Sequence, residues 1–330
     1  MKILITGAAG FLGTRLAQAL LNRPQLMSYS LSQLVLADRV QPVTGLRDPR
    51  VQVLVGSLID QCPVFAAQRF DIVFHLAAAV SAECEADFDL GLRSNLDTSR
   101  TLLDALRAAG NRPRFVFASS AAVFGSDPGL PMPPIVRDDT LPTPQTSYGI
   151  QKFICEQLVA DYTRKRFIDG RSVRLMTVIV RPGQPNGAAS GFLSTIVREP
   201  LHGRDAVCPV PPETAAVVAS PSNTIEGLIG LAEAEPGVIG GRIAMNLPAL
   251  TVRVSEILDA LETVAGKAAR ERVRFELDPA ITVMVAGWPS AFDNTRALRL
   301  SLKPDPDIIS IIRQFVNDDA IASTNLSLRP

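Results

Sequence analysis

An α/β fold built on a doubly wound parallel sheet is what this 330-residue sequence predicts, and three observations predict it. Short apolar runs at residues 3–5, 34–37, 51–55, 72–76, 115–118 and 173–180 alternate with stretches of helical periodicity. Runs that are apolar at consecutive positions suit strands covered by helices on both faces. A glycine-rich turn, Thr6-Gly7-Ala8-Ala9-Gly10-Phe11-Leu12-Gly13, joins the first run to the first helical stretch. Beyond Arg181 the alternation loosens, which marks a smaller second lobe.

Taken in order, the first helix is read from Leu12, Leu16, Leu20 and Leu21, which share one face at helical spacing. A later long helix is read from Leu90, Leu96, Leu102, Leu103 and Leu106, with Asn95 among its polar positions. Repeated strand, helix, strand order implies right-handed crossovers in one sheet, a Rossmann-type arrangement. Residues 127–145 hold six prolines and form a loop, placed to cover a site just before the next helix. That helix starts at Tyr148 and reaches about Arg164. Further on, the pattern gives a helix over 222–234, a strand over 242–247, and a helix over 256–265 with Ser255 as its N-cap. The reading is therefore a dinucleotide-binding domain at 1–180. A smaller substrate-binding lobe follows at 181–330, with some segments returning to the sheet.

Composition removes several classes of function. Thirty-three basic and 33 acidic side chains give no net charge, against nucleic acid or acidic membrane as the main partner. Four scattered cysteines and two histidines offer no metal-ligand spacing, and read as small buried groups in a reducing compartment. Gly7, Gly10 and Gly13 interrupt the apolar N-terminus, so it is not a signal peptide, and no run is long enough to span a membrane. The expectation is a soluble, cytoplasmic protein.

Each glycine of the turn has a physical task. Gly7 permits the tight turn, Gly10 lets the backbone approach a pyrophosphate, and Gly13 lets helix and sheet pack closely. Phe11 and Leu12 then open a helix whose free N–H groups and dipole favour phosphates. Asp38, at the end of the second strand, can accept both hydroxyls of an adenosine ribose and repel a 2′-phosphate, which selects NAD over NADP. Arg39 beside it is the feature that would favour the phosphate instead.

Tyr148 and Lys152 lie four apart on one helical face. A free tyrosine ionises near ~10, so bringing it to about 7 takes roughly 4 kcal/mol of differential stabilisation. A neighbouring ammonium and a positive nicotinamide both act in that direction. Ser119 and Ser120 end a strand at the carboxyl edge of the sheet, where a hydroxyl can orient a reacting oxygen. Asn95 is placed to brace the active-site backbone or a proton-relay water.

In this order, Gly7/Gly10/Gly13, His75-Leu76-Ala77-Ala78, Asn95, Ser119-Ser120-Ala121-Ala122-Val123-Phe124-Gly125, Tyr148 with Lys152, and Arg181-Pro182-Gly183 resemble the extended short-chain dehydrogenase/reductases. The resemblance is clear to about residue 185 and looser beyond it. It implies bound NAD, Tyr148 as base, Lys152 as electrostatic aid and ribose ligand, and Ser120 rather than Ser119 as the orienting hydroxyl. It also implies Ser57-Leu58 beside adenine, Leu76-Ala77-Ala78 along the cofactor, and a homodimer through the helices carrying Asn95 and Tyr148. The stretches 83–89 and 181–187 are similar to members that oxidise the C2 hydroxyl of a four-carbon sugar acid such as D-erythronate. For such a small hydroxy-acid substrate, Ser81, Asn186 and Ser190 are the candidate carboxylate donors, and Arg198 or Arg204 the candidate charge. Phe124 stands where many sugar-nucleotide enzymes carry tyrosine. A nucleotide-sugar epimerase or dehydratase with tightly bound NAD remains the alternative, and a non-catalytic dinucleotide sensor a more distant one.

Overall fold

In a computed structural model, residues 1–42, 48–183 and 190–327 are described. The first half runs β1 (Lys2–Thr6), α1 (Phe11–Asn22), β2 (Gln33–Asp38), β3 (Val51–Val55), α2 (Leu58–Gln68) and β4 (Ile72–His75). Two short helices, α3 (Ser81–Ala86) and α4 (Phe88–Gly91), lead through a π-helical turn (Leu92–Asp97) into α5 (Thr98–Ala109). Then come β5 (Arg114–Ser120), α6 (Ser147–Arg164), β6 (Asp169–Leu175) and β7 (Thr177–Val178). Next are α7 (Gly191–Leu201), β8 (Ala206–Cys208), β9 (Ala215–Ala219), α8 (Pro221–Glu233), α9 (Pro236–Ile239), β10 (Met245–Asn246) and β11 (Leu250–Arg253). The last elements are α10 (Val254–Ala265), α11 (Lys267–Arg270), β12 (Val273–Phe275), α12 (Pro279–Ala286), α13 (Thr295–Leu298) and α14 (Ile308–Ser327).

Seven parallel strands form the central sheet in the order β10-β6-β5-β4-β1-β2-β3, a Rossmann-type α/β fold. The apolar runs work as expected of strands covered on both faces. Ile3 and Ile5 pack with Leu16 and Leu20 of α1 and Leu228 of α8, whereas Leu4 between them packs with Phe65 and Leu103 of the opposite layer. Leu34/Leu36 and Val35/Ala37 divide in the same way. A separate apolar core, including Val180, Leu193, Val218, Leu261 and Ile312, holds together α7, β9, α10 and α14.

Three expectations need correction. The run 173–180 is not one strand: β6 ends at Leu175, opposite the last residue of β5, and beyond that edge no neighbour remains to pair with. The chain then joins β9 through β7 in a second, three-stranded sheet. The strand expected over 242–247 shrinks to β10, two residues that pair with Val173 and Arg174 of β6. Ser255 does not cap α10, because the helix starts at Val254, two residues before the expected start. Glu256 reaches back to accept the Arg253 N–H at 2.6 Å, and Val254 and Ser255 donate to Thr214 and Pro212 carbonyls.

The proline-rich segment is a loop, as read, and it is anchored. Val136 is fully buried with Val123 and Phe124, and exchanges backbone hydrogen bonds with Ala291 and Asp293. Asp138 accepts from the Asn246 N–H (2.7 Å) and from Arg296 (3.1 Å), and its carbonyl accepts from Arg174 (3.1 Å). These contacts tie the loop to the sheet edge beside α6.

Candidate active site

The carboxyl ends of β1, β2 and β4 meet at the glycine turn. Gly7 has φ +74°, and a Cβ there would lie 2.6 Å from the Ala77 nitrogen, so the Leu76–Ala77 backbone runs directly against it. A Cβ on Gly13 would meet the Gly7 carbonyl oxygen at 2.2 Å, which makes that position the close-packing one. Gly10 differs: it is exposed, caps α1 with no side chain, and no acidic residue follows in the first turn. The helix N-terminus is thus left open toward an anion, as a pyrophosphate requires. Asp38 accepts the Ala9 N–H at 2.8 Å on one oxygen and the Val40 N–H at 3.2 Å on the other. A carboxylate has further lone pairs for ribose hydroxyls. Ser57 follows at the N-terminus of α2, and Gly56 before it donates to the Asp38 carbonyl at 2.9 Å. These residues fit an adenine dinucleotide. Replacing Asp38 by Ala is expected to narrow the preference for NAD over NADP by about tenfold or more. Steady-state kinetics with both cofactors measure it, and an unaltered ratio would show that Asp38 does not read the ribose.

Tyr148 and Lys152 sit one turn apart at the start of α6, which Thr146 caps by accepting the Gly149 N–H at 3.0 Å. The Lys152 Nζ lies 5.7 Å from the centre of the Tyr148 ring and donates to the Ala118 carbonyl at 2.7 Å. Ser120, last residue of β5, accepts the Ala122 N–H at 3.1 Å, and its hydroxyl favours the ionised Tyr148 phenol. Burial pushes the Tyr148 phenol up to about 12, and neither the Ser120 hydrogen bond nor the Arg181 charge offsets it. In the chain alone, burial outweighs the groups that favour the phenolate. Burial also pulls the Lys152 ammonium down to about 8.

The sign of that Lys152 shift gives a stability prediction. Between pH about 8 and the usual lysine value, the unfolded chain binds the proton that the folded chain has released. Wild-type stability therefore gains as pH rises through that window. Relative to Lys152→Met, which has no such group, the wild type is expected to gain about 2–3 kcal/mol between pH 7 and pH 10. Denaturant titrations of both proteins at each pH measure the gap, and a constant gap contradicts it.

Asn95 is buried at the π-helical turn. Its Oδ1 accepts the Ala79 N–H at 2.8 Å, and its Nδ2 donates to Gln151 Oε1 at 2.7 Å and to the Ala79 carbonyl at 3.3 Å. These bonds tie the stretch between β4 and α3 to α6. The π turn replaces the single long helix of the sequence reading and brings Asn95 inward at this point. Behind it lies a network that sequence reasoning missed. Ser99 donates to the Asn95 carbonyl at 2.5 Å and so must accept from His75 Nε2–H at 2.9 Å. His75 Nδ1 then accepts from the Thr6 hydroxyl at 2.6 Å. Burial, aided by the Lys152 charge, lowers this imidazole to about 3 and keeps it neutral. The strand before the glycine turn is thereby joined to Asn95.

Ser119 points the other way from Ser120. It donates to Glu156 Oε1 at 2.6 Å, and Glu156 is gripped by Arg174 through Nε (3.0 Å) and Nη2 (2.9 Å). All three side chains are buried, and the Arg174 guanidinium stacks on Phe124 at 4.7 Å. Glu156 and Arg174 were also missed, although a carboxylate eight residues beyond Tyr148 on the same helical face was a visible signal. Among the expected carboxylate donors, Ser81 begins α3, whose Glu85 accepts the Ser147 N–H at 2.7 Å, beside Tyr148. Ser190 accepts from Arg181 at 3.4 Å, and Asn186 lies outside the described residues. Arg198 and Arg204 both pair with Glu199, at 2.8 and 2.5 Å.

This architecture is shared with known proteins. Over residues 3–214 the sequence matches the NAD dependent epimerase/dehydratase family. It is 45% identical to a D-erythronate dehydrogenase of Cupriavidus necator, over 98% of this chain and 100% of that one. With a D-erythronate dehydrogenase of Haemophilus influenzae the identity is 41%, over 97% and 100%. The crystal structure of a nucleoside-diphosphate-sugar epimerase from Agrobacterium tumefaciens superposes with TM-score 0.92 at 40% identity, covering 97% of this chain and 94% of that chain. Glycine turn, tyrosine–lysine pair and whole-length similarity agree, and the chain belongs to the NAD dependent epimerase/dehydratase family, among the extended short-chain dehydrogenase/reductases.

Proposed function

We propose that this dehydrogenase uses NAD to oxidise the C2 hydroxyl of a small sugar acid, D-erythronate or a close analogue, to the 2-keto acid. The observation that carries the reading is the convergence of Tyr148, Ser120 and Lys152 at the sheet edge beside the glycine turn, in a chain similar over its length to two D-erythronate dehydrogenases. Gly7, Gly10, Phe11, Leu12, Gly13, Asp38, Ser57, Leu58, Leu76, Ala77 and Ala78 would hold NAD, which when bound would supply the hydride acceptor and a positive ring. The Tyr148 oxygen, as phenolate, takes the proton of the C2 hydroxyl. Ser120 hydrogen-bonds the same oxygen and keeps it aligned as it becomes a carbonyl. Lys152 favours the phenolate and, anchored on the Ala118 carbonyl, can reach the nicotinamide ribose. Residues 1–180 serve the dinucleotide and 181–330 the substrate. Exposed Phe88, Ile150 and Ile154 on α4 and α6 support a homodimer through these helices. Four buried, unpaired cysteines support a reducing cytoplasm. No helix among the described residues is long and apolar enough to cross a membrane.

A nucleotide-sugar epimerase is the second reading, favoured by the name of the Agrobacterium structure. NADH formation at 340 nm with D-erythronate, L-threonate and related hydroxy acids, run with NAD and NADP, separates the two. Saturable turnover of a four-carbon acid with NAD supports the dehydrogenase; silence across the panel, with conversion of a nucleotide sugar, supports the epimerase.

A further inference from the structure

The backbone from Leu76 to Ala79 is fixed at both ends. At one end it runs against the glycine turn, with the Leu76 N–H donating to the Thr6 carbonyl at 3.1 Å and the Ala77 nitrogen 2.6 Å from where a Cβ on Gly7 would lie. At the other end Asn95 grips Ala79 by its N–H (2.8 Å) and by its carbonyl (3.3 Å). An N–H can only donate, so the Asn95 oxygen must face it. The Asn95 amide nitrogen is thereby turned to Gln151, whose Oε1 accepts at 2.7 Å. Gln151 is 1% exposed and stands on α6, three residues after Tyr148 and directly before Lys152. A continuous path of backbone and hydrogen bonds thus joins the glycine turn to the helix that carries the tyrosine–lysine pair.

Gly91 makes room for this contact. Its φ of −57° and ψ of −50° are ordinary helix, open to any residue, and glycine is a poor helix former. What the position requires is the missing side chain, because a Cβ there would lie 2.5 Å from Gln151 Nε2 and 3.1 Å from its Oε1. That Nε2 has no hydrogen-bond partner among the described residues. Stability alone does not favour an amide that leaves a buried donor unpaired, since an apolar side chain of the same shape avoids the cost. Nor does Asn95 depend on Gln151 for satisfaction: its nitrogen also donates to the Ala79 carbonyl and to Cys84 Sγ, both at 3.3 Å.

We propose that Gln151 is a positioning residue, whose bond to Asn95 sets the spacing between a nicotinamide lying along Leu76–Ala78 and the Tyr148–Lys152 pair. The inference rests on the NAD-dependent oxidation proposed above. That reaction takes a hydride from C2 and a proton from the oxygen on C2, so both acceptors must be in register at once. A misplacement of about 1 Å can cost about 10²-fold in rate.

The test uses D-erythronate, protiated and deuterated at C2, with Tm from calorimetry and NADH affinity from fluorescence. Gln151→Met keeps the shape and removes the amide. Its kcat is expected to fall roughly 10- to 100-fold with an isotope effect at least as large as in the wild type, because the transfer step is the one slowed. Tm should stay within about 3 °C, and NADH affinity should hold. Hydrogen exchange of the Ala79 amide, measured without cofactor, should quicken by roughly tenfold as the grip of Asn95 loosens. Gly91→Ala, which pushes the Gln151 amide aside, should lower kcat by a similar factor. In a Gln151→Ala background the same substitution should cost less than about twofold. If Gln151→Met does not fold, this pair of backgrounds decides. Unchanged kcat or Ala79 exchange in Gln151→Met, a kcat loss with a smaller isotope effect, or an equal cost of Gly91→Ala in both backgrounds overturns the inference alone. A wild type that forms NADH with no hydroxy acid overturns the proposed function and this inference together.

Discussion

Tyr148→Phe is expected to lower kcat by roughly 10²- to 10⁴-fold, the usual range for removing a general base. The substitution deletes one oxygen and keeps the ring that packs one turn from Lys152, so NADH affinity should change by less than about twofold. Burial pushes the free phenol up to about 12, so the mechanism proposed above requires the bound state to make a phenolate available. The wild-type rate should accordingly climb with pH over the working range, and the small residual rate of Tyr148→Phe should not. Stopped-flow and steady-state measurements of NADH formation give both quantities. Wild-type turnover in Tyr148→Phe would remove the phenol from the mechanism.

The largest effect on stability is expected from Arg174→Met. Glu156 is almost wholly buried, and its two oxygens are held by Arg174 and Ser119. Taking away the guanidinium strands a carboxylate in the core, which destabilises by about 3–5 kcal/mol. In a chain of this size that lowers Tm by roughly 6–15 °C. Arg174→Met paired with Glu156→Leu removes both charges and is expected to recover most of the loss, because the penalty belongs to the unpaired charge rather than to the missing bond. Calorimetry on the two variants decides: a double variant no more stable than the single one would mean that packing on Phe124 and the Asp138 carbonyl, not the ion pair, carries the contribution.

What the sequence made legible was local. Gly7, Gly10 and Gly13 announce a turn because only short-range sterics are involved, and Tyr148 with Lys152 announces a shared face because helical spacing alone produces it. The alternation of apolar runs was enough for the sheet, since each strand divides its residues between two packed layers. What stayed hidden was long-range. The partners of Ser119, Glu156 and Arg174 come from a strand, a helix and a second strand, and no periodicity links them. His75 belonged to a recognised stretch, but its bonds to Thr6 and Ser99 cross between three elements. The π turn at Asn95 could not be read either, since the backbone that side chain bonds, at Ala79, belongs to another segment. Arg198 and Arg204, the charges considered from the sequence, both pair with Glu199, a contact that no sequence spacing announces for Arg204.

The most direct measurement is to give the enzyme D-erythronate deuterated at C2, with NAD, and follow the label by NMR and mass spectrometry. Oxidation at C2 predicts one deuterium on the nicotinamide of the NADH formed, an unlabelled 2-keto acid, and a slower rate than with protiated substrate. Product that retains the C2 deuterium, or NADH formed without it, would contradict oxidation at that carbon.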